Sequence, residues 1–325
     1  MRMTCFAIVS VASLVAPAYA QKPPAPVAYP ERPVRVIVPV APGGSTDIIA
    51  RIVLTKLGEN MNASFIVDNR AGAGGVLGTE IVAKAAPDGH TLLFTYAAHT
   101  ISPLIYASVP YDIYKDFAPV TLAGSQPLML AVNNSVKANT TQELIALAKA
   151  RPGELNVALA TSGSSGALAA ELFKMLTGTK IVSVPFKGGG PALTALVGGE
   201  VQLIFTTPPT IMPFLKSGRV RVLATSGKDR ISYMPEVPTL AESGIKDFDT
   251  APWQGLVAPA KTPQHIIDRL YNGIAEVLKT PYARERFAAS GTDIVGSTPK
   301  EFGAQIKREL EQNSRIIKAV GMKGE

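Results

Sequence analysis

The chain has 325 residues, 46% of them apolar and 18% charged, which is enough hydrophobic material for one large core or two smaller ones and too much for a disordered chain. Lysine plus arginine exceed aspartate plus glutamate by 32 to 25, yet no run of five like charges occurs and aromatics make up only 6%. That pattern excludes a concentrated nucleic-acid-binding stripe and suits a small anionic ligand.

The first twenty residues have the layout of an export signal. Arg2 supplies a basic start, and Phe6 to Val15 is an apolar stretch too short to span a bilayer. Ala18-Tyr19-Ala20 has the small-x-small form of a peptidase site. Cleavage after Ala20 predicts a periplasmic chain that starts at Gln21 and, since Cys5 is the sole cysteine, carries no thiol. Residues 21–31, QKPPAPVAYPE, read as a proline-rich extended lead-in.

One unit then recurs along the chain: a short apolar strand, a glycine-rich turn and a helix. Val34 to Val38 is β-branched, Pro39 to Gly44 is the turn, and Ser45, Thr46 and Asp47 can cap a helix with Ile48, Ile49, Ile52, Val53 and Leu57 at helical spacing. Phe65-Ile66-Val67 leads through Asp68 to Gly75 into a helix over 76–86. Thr91 to Thr95 is a third strand, ending in the polar turn Tyr96 to Thr100. Leu155 to Leu159 leads through Ala160 to Gly166 into a helix over 167–176. Ile181 to Val184 leads through Pro185 to Gly190 into a helix with Pro191 in its first turn, and Val201 to Phe205 ends in Thr206-Thr207-Pro208-Pro209. Trp253 onward adds a strand at 255–258 and amphipathic helices at 263–279, 281–289 and 299–319.

Strands alternating with helices predict an α/β fold with mainly parallel sheets, whose ligand sits at the carboxyl edge of the strands. The units fall into two groups separated near 124–127, and the C-terminal part has no glycine-rich turn of its own. Two lobes follow: 32–125 plus 252–325, and 126–251. The chain then passes between them near 124–127 and 248–253, which is hinge-like wiring.

Glycine-rich turns at helix N-termini offer free N–H groups and a partial positive charge to an anion. Each is also compatible with ordinary turn chemistry. Enzyme motifs are absent: there is no P-loop, Gly72, Gly74 and Gly78 match the dinucleotide fingerprint only loosely, and Gly163-Ser164-Ser165-Gly166-Ala167 lacks the last glycine of a nucleophile elbow. Of three histidines, His90 and His265 read as solvated and only His99 as facing a cleft. No metal-ligand spacing occurs, so neither a metal nor a cofactor is expected. Asp47 either caps loop amides or orders a ligand-bridging water, and Arg70 either pairs with a ligand or braces its loop beside Asp68. Trp253 packs at the lobe crossing.

The stretches Tyr29-Pro30-Glu31-Arg32-Pro33-Val34, Val38-Pro39-Val40-Ala41-Pro42-Gly43-Gly44-Ser45-Thr46-Asp47 and Asn69-Arg70-Ala71-Gly72-Ala73-Gly74-Gly75 resemble the Bug family, the periplasmic solute receptors of tripartite tricarboxylate transporters. Pro87-Asp88-Gly89, Ala170 to Lys174, Pro185 to Ala192 and Pro235 to Thr239 extend the resemblance over the mature chain. It implies a two-lobed Venus-flytrap receptor of the type II periplasmic-binding-protein fold, a monomer that closes on a small organic carboxylate and docks on membrane transporter subunits. Carried across, Val40, Ala41, Gly43, Gly44 and Asp47 form the first ligand loop, and Ala73 and Gly74 the second. Thr95, Ala97 and His99 end the third strand, while Ser162, Gly163, Ser164, Lys187, Gly188 and Thr206 face them from the other lobe. Val40 stands where the family commonly has an aromatic, Ala167 where many members have histidine and Thr206 where many have aspartate. The last departure argues against amino-acid ligands and favours aliphatic dicarboxylates or aromatic acids such as terephthalate. A module feeding a sensor kinase, or an exported α/β hydrolase, are the alternative readings.

Overall fold

The computed structural model describes residues 29–160, 164–186, 188–246 and 248–323. The export signal, the lead-in up to residue 28, Ser162, Gly163 and Lys187 lie outside the described residues. The end of the lead-in is part of the fold: Tyr29 is buried, and its hydroxyl donates to the Gly89 carbonyl at 2.7 Å. His90 is buried too, edge-on to the Tyr29 ring, which corrects its reading as a solvated turn residue. His265 is exposed as expected.

In chain order, β1 (Val34–Val38) leads into α1 (Ser45–Met61), β2 (Phe65–Asn69) into α2 (Val76–Ala83), and β3 (Thr91–Tyr96) into α3 (Ala98–Ile105). β4 (Phe117–Ser125) runs on into β5 (Met129–Asn133), which is followed by α4 (Thr141–Ala150). Three units come next, β6 (Asn156–Leu159) with α5 (Ser165–Thr177), β7 (Val182–Pro185) with α6 (Gly189–Gly198), and β8 (Leu203–Thr206) with α7 (Pro208–Lys216). After β9 (Val220–Thr225) the chain returns through β10 (Trp253–Pro259), α8 (Gln264–Lys279), α9 (Pro281–Ala289), β11 (Asp293–Ile294) and α10 (Pro299–Val320).

The strands make two sheets, ordered β11-β4-β10-β3-β1-β2 and β7-β6-β8-β5-β9. This is the α/β architecture with two sheets that the sequence predicts. Within each sheet the strand–helix units pair in parallel, as β2-β1-β3 and β7-β6-β8. Antiparallel pairs are as prominent, because β10 enters the first sheet between β3 and β4, and β5 enters the second between β8 and β9. Each inserted strand belongs to a passage from one sheet to the other and arrives running against its neighbours. The two passages lie side by side: Ser125 is in register with Trp253, and the Gln126 N–H donates to the Pro252 carbonyl at 2.7 Å.

Both sheets are covered on both faces, so central strands read as unbroken apolar runs. All five residues of β5 are buried, with Leu130 and Val132 in one core cluster and Met129 and Ala131 in another. In β3, Leu92 and Phe94 face α1 and α8 residues, while Leu93 faces Trp253 and Phe302. α10 starts with a capping box, in which Thr298 Oγ1 accepts from the Glu301 N–H and the Glu301 carboxylate accepts from the Thr298 N–H. Its buried stripe begins with Phe302 and Ile306 against the first sheet and ends with Ile316 and Ile317 in the core of the second, beside Ile101 of α3.

Gly255, in the middle of β10, has no room for a side chain: a Cβ there would lie 2.7 Å from the Phe302 ring and 2.8 Å from the Thr121 carbonyl. Gly255→Ala is therefore expected to destabilise the fold by about 1–3 kcal/mol in urea unfolding. Gly190→Ala, where a Cβ meets nothing within 4 Å among the described residues, should be neutral or slightly stabilising.

Candidate ligand-binding site

The carboxyl ends of the parallel strands in the two sheets face each other across a cavity of about 590 Å³. Helix N-termini line it from both sides. Ser45 and Thr46 open α1, Ala98 opens α3, Ser164, Ser165 and Gly166 open α5, Gly189 opens α6, and Thr207 and Thr210 belong to the start of α7. First-turn N–H groups have no partner within their own helix, and the aligned peptide dipoles add a partial positive charge. No charged side chain occurs among the described lining residues. An anion placed here is held by main-chain and hydroxyl donors in a partly desolvated space, where each hydrogen bond counts for more than in water.

The apolar part of the wall comes from Ile101, Ile105, Leu128, Tyr96, Tyr106 and Phe205. Burial, and then the nearby Tyr106, raise the Tyr96 hydroxyl above its ordinary pKa, so it remains a neutral donor. Glycine is required at two points. Gly166 brings α5 so close to β8 that a Cβ would lie 2.5 Å from the Phe205 carbonyl oxygen, and Gly74 holds φ +60° with Ser102 Oγ donating to its carbonyl at 2.8 Å.

Of the residues predicted from sequence, Gly74, Ser164 and Thr206 line this cavity. Elsewhere the turn is the expected one but the lining residue is a neighbour. Ser45 and Thr46 take the place of Ala41, Gly43 and Gly44, Gly74 that of Ala73, Tyr96 and Ala98 that of Thr95 and Ala97, and Gly189 that of Gly188. In α1 and α6 the last turn glycine, Gly44 or Gly188, is the N-cap, and the lining residue is the first of the helix. Val40 packs against the first-sheet core, with its carbonyl accepting from Asn69 Nδ2. Ala167 is fully buried in the second core.

His99 is misplaced by the sequence reading. The segment read as a polar turn is the start of α3, and His99 lies in its first turn with the ring buried edge-on to Phe117 at 5.0 Å. It is absent from the cavity wall, and burial holds its pKa down at about 3, so the ring is neutral.

Asp47 is likewise turned away from the cavity and spent on the loop. Its carboxylate accepts from the Gly43 N–H at 2.9 Å, from Asn69 Nδ2 at 2.9 Å and from Arg51 Nε at 3.0 Å. Arg70 braces Asp68 at 2.9 Å, the second of its two readings. Sequence reasoning missed the polar residues contributed by the two passages, Gln126 and Gln254. A lone glutamine carries no motif, although both flank the predicted crossing points.

A larger cavity of about 850 Å³ lies beyond the wall formed by Ile101, Ser165 and Pro252. Lys228, Arg230 and Arg308 line it together with Asp229, Asp249, Asp293 and Glu309, so groups of both signs are present, and among the described residues no glycine-rich turn opens into it. Among the described residues, no group of three His, Cys, Asp or Glu is placed to hold a metal ion, and no helix is long and apolar enough to cross a membrane.

Two mixed sheets with opposed helix N-termini around a cavity whose described lining carries no charged side chain define a receptor-like α/β protein built to hold a small solute. The family model described as the tripartite tricarboxylate transporter family receptor, TctC, matches residues 49–322, and the chain belongs to that family of solute-binding receptors, which are not enzymes. It is 39% identical over 297 residues to the Bug protein BugT of Bordetella pertussis, covering 91% of each chain. Among solved structures, an R. palustris protein with adipate superposes with a TM-score of 0.77 at 32% identity, covering 91% of this chain and 99% of that one. MatC from Rhodopseudomonas palustris with bound malate gives 0.73 at 30% identity, covering 89% and 100%.

The Asp47 carboxyl is desolvated, which raises its pKa, but hydrogen bonds from Arg51, the Gly43 amide and Asn69 outweigh this and hold it below the ordinary value. A depressed pKa stabilises the fold above the unfolded value of 3.8 and loses that contribution as pH falls through the folded one. Asp47→Asn is expected to cost about 1.5–3 kcal/mol at pH 7. The gap between wild type and variant in chemical unfolding should hold down to about pH 4 and close below it.

Proposed function

We propose that the chain is a periplasmic receptor that binds a small organic carboxylate in the 590 Å³ cavity and delivers it to a tripartite tricarboxylate-type membrane transporter. The observation that carries this reading is the convergence of five helix N-termini, those of α1, α3, α5, α6 and α7, on a wall whose described residues carry no charged side chain. Such a wall compensates a negative ligand through backbone dipoles and, among the described residues, offers no carboxylate to an ammonium group. Adipate and malate in the related structures are dicarboxylates, in line with that chemistry.

The two sheets then act as lobes, 32–125 plus 252–325 and 126–251, that rotate about the paired passages at 124–127 and 248–253. A carboxylate seated at Ser45, Thr46, Gly74 and Ala98 recruits donors at Ser164, Gly189 and Thr206 from the opposite side. Shifting a mostly open population to a mostly closed one takes a preference of about 5 kcal/mol. A few charge-assisted hydrogen bonds of about 1.5–3 kcal/mol each are sufficient. The chain works as a monomer without a cofactor, and export follows cleavage after Ala20.

The test is a thermal-shift and calorimetric screen of mono-, di- and tricarboxylates, aliphatic and aromatic, with amino acids and neutral sugars as comparators. At least one carboxylate should raise the melting temperature in proportion to its affinity. Stabilisation by a sugar or an amino acid with none from any carboxylate would overturn the reading. Thr206→Asp places a like charge in the desolvated wall and is expected to weaken the best carboxylate by about tenfold or more in the same calorimetry.

A further inference from the structure

Ser45, at the start of α1, is held by one glutamine from each passage between the sheets. Gln126 Nε2 donates to the Ser290 carbonyl at 2.8 Å, which fixes the sense of its amide and turns Oε1 toward Ser45. The Ser45 hydroxyl donates its single proton to that oxygen at 3.0 Å. Toward Gln254 it can therefore only accept, and Gln254 Nε2 faces it at 3.5 Å. The relay leaves Gln254 Oε1 as the free end.

That oxygen is buried and has no hydrogen-bond partner among the described residues; Gln254 as a whole is only 3% exposed and forms part of the cavity wall. Gln254 is in register with Tyr96 of β3, another residue of the wall, so the acceptor lies beside the N-termini of α1 and α3. A buried acceptor without a donor is costly, and the cost is relieved by a ligand that brings one. Among the described residues of this wall, Gln254 Oε1 is the buried side-chain atom left without a partner.

We infer that the receptor reads a hydroxyl group on its carboxylate ligand through Gln254 Oε1, so that hydroxy acids are preferred over their deoxy analogues. This rests on the carboxylate reading above. A site built to pair a ligand hydroxyl disfavours the analogue lacking it, because the acceptor is then buried without a partner.

The experiment is calorimetry of the full mature chain with matched acids: malate against succinate, 2-hydroxyglutarate against glutarate, and 2- and 3-hydroxyadipate against adipate. The wild type should bind the hydroxy member of at least one pair about tenfold more tightly. Gln254→Met, of similar length but without an acceptor, should bring that pair to within about threefold. Ser45→Ala frees the Gln254 amide to turn over and should shrink the preference as well. Equal affinities across all pairs in the wild type overturn the inference without needing a folded variant, as does a preference that survives Gln254→Met. If deoxy and hydroxy acids bind alike, the carboxylate reading stands and the hydroxyl claim falls; if no acid binds, both fall.

Discussion

The arrangement depends on the pairing of two strands that travel in opposite directions between the sheets. β4 leaves the first sheet where β10 enters it, and the bond from the Gln126 amide to the Pro252 carbonyl continues their ladder past the last registered pair. Because both passages are anchored at one place, the carboxyl ends of the two parallel strand sets are brought face to face. The same pairing explains why neither sheet is purely parallel, since a strand that comes back from the other sheet meets its neighbours head to tail.

From that geometry follows the electrostatic character of the cavity. Strand–helix units in both sheets aim the positive ends of their helices at one volume, so the described wall presents a field without a charged side chain. A buried arginine would bring its own desolvation penalty and would have to find a partner whenever the cavity was empty. Helix termini carry no such obligation, because their N–H groups can exchange between solvent and solute. Asp47, Asn69 and Arg51 tie the first loop together from behind, keeping the acidic group away from the space it shapes.

Much of this was legible in the sequence. The VRVIV and TLLFT runs and the glycine-rich turns marked strand–helix units reliably, because period and turn chemistry agree there. The register of the site was not legible: whether Gly44 or Ser45 presents its amide depends on where the first helical turn closes, which spacing alone leaves open. β4, β5, α4, α7 and β9 carried too weak a local pattern to be read. The α3 start was hidden by Pro103 and by polar residues that become buried only through tertiary contacts. His99 shows the same lesson, since a histidine in a polar-looking segment became an uncharged ring in a hydrophobic core.

The path of α10 has a mechanical consequence. Its first half rests on one sheet through Phe302 and Ile306, and its last turns are embedded with Ile316 and Ile317 in the core of the other. A rod fastened at both ends acts as a stay across the joint. The rotation proposed above would slide or lever two isoleucines within a packed interior, which favours discrete resting positions over continuous drift.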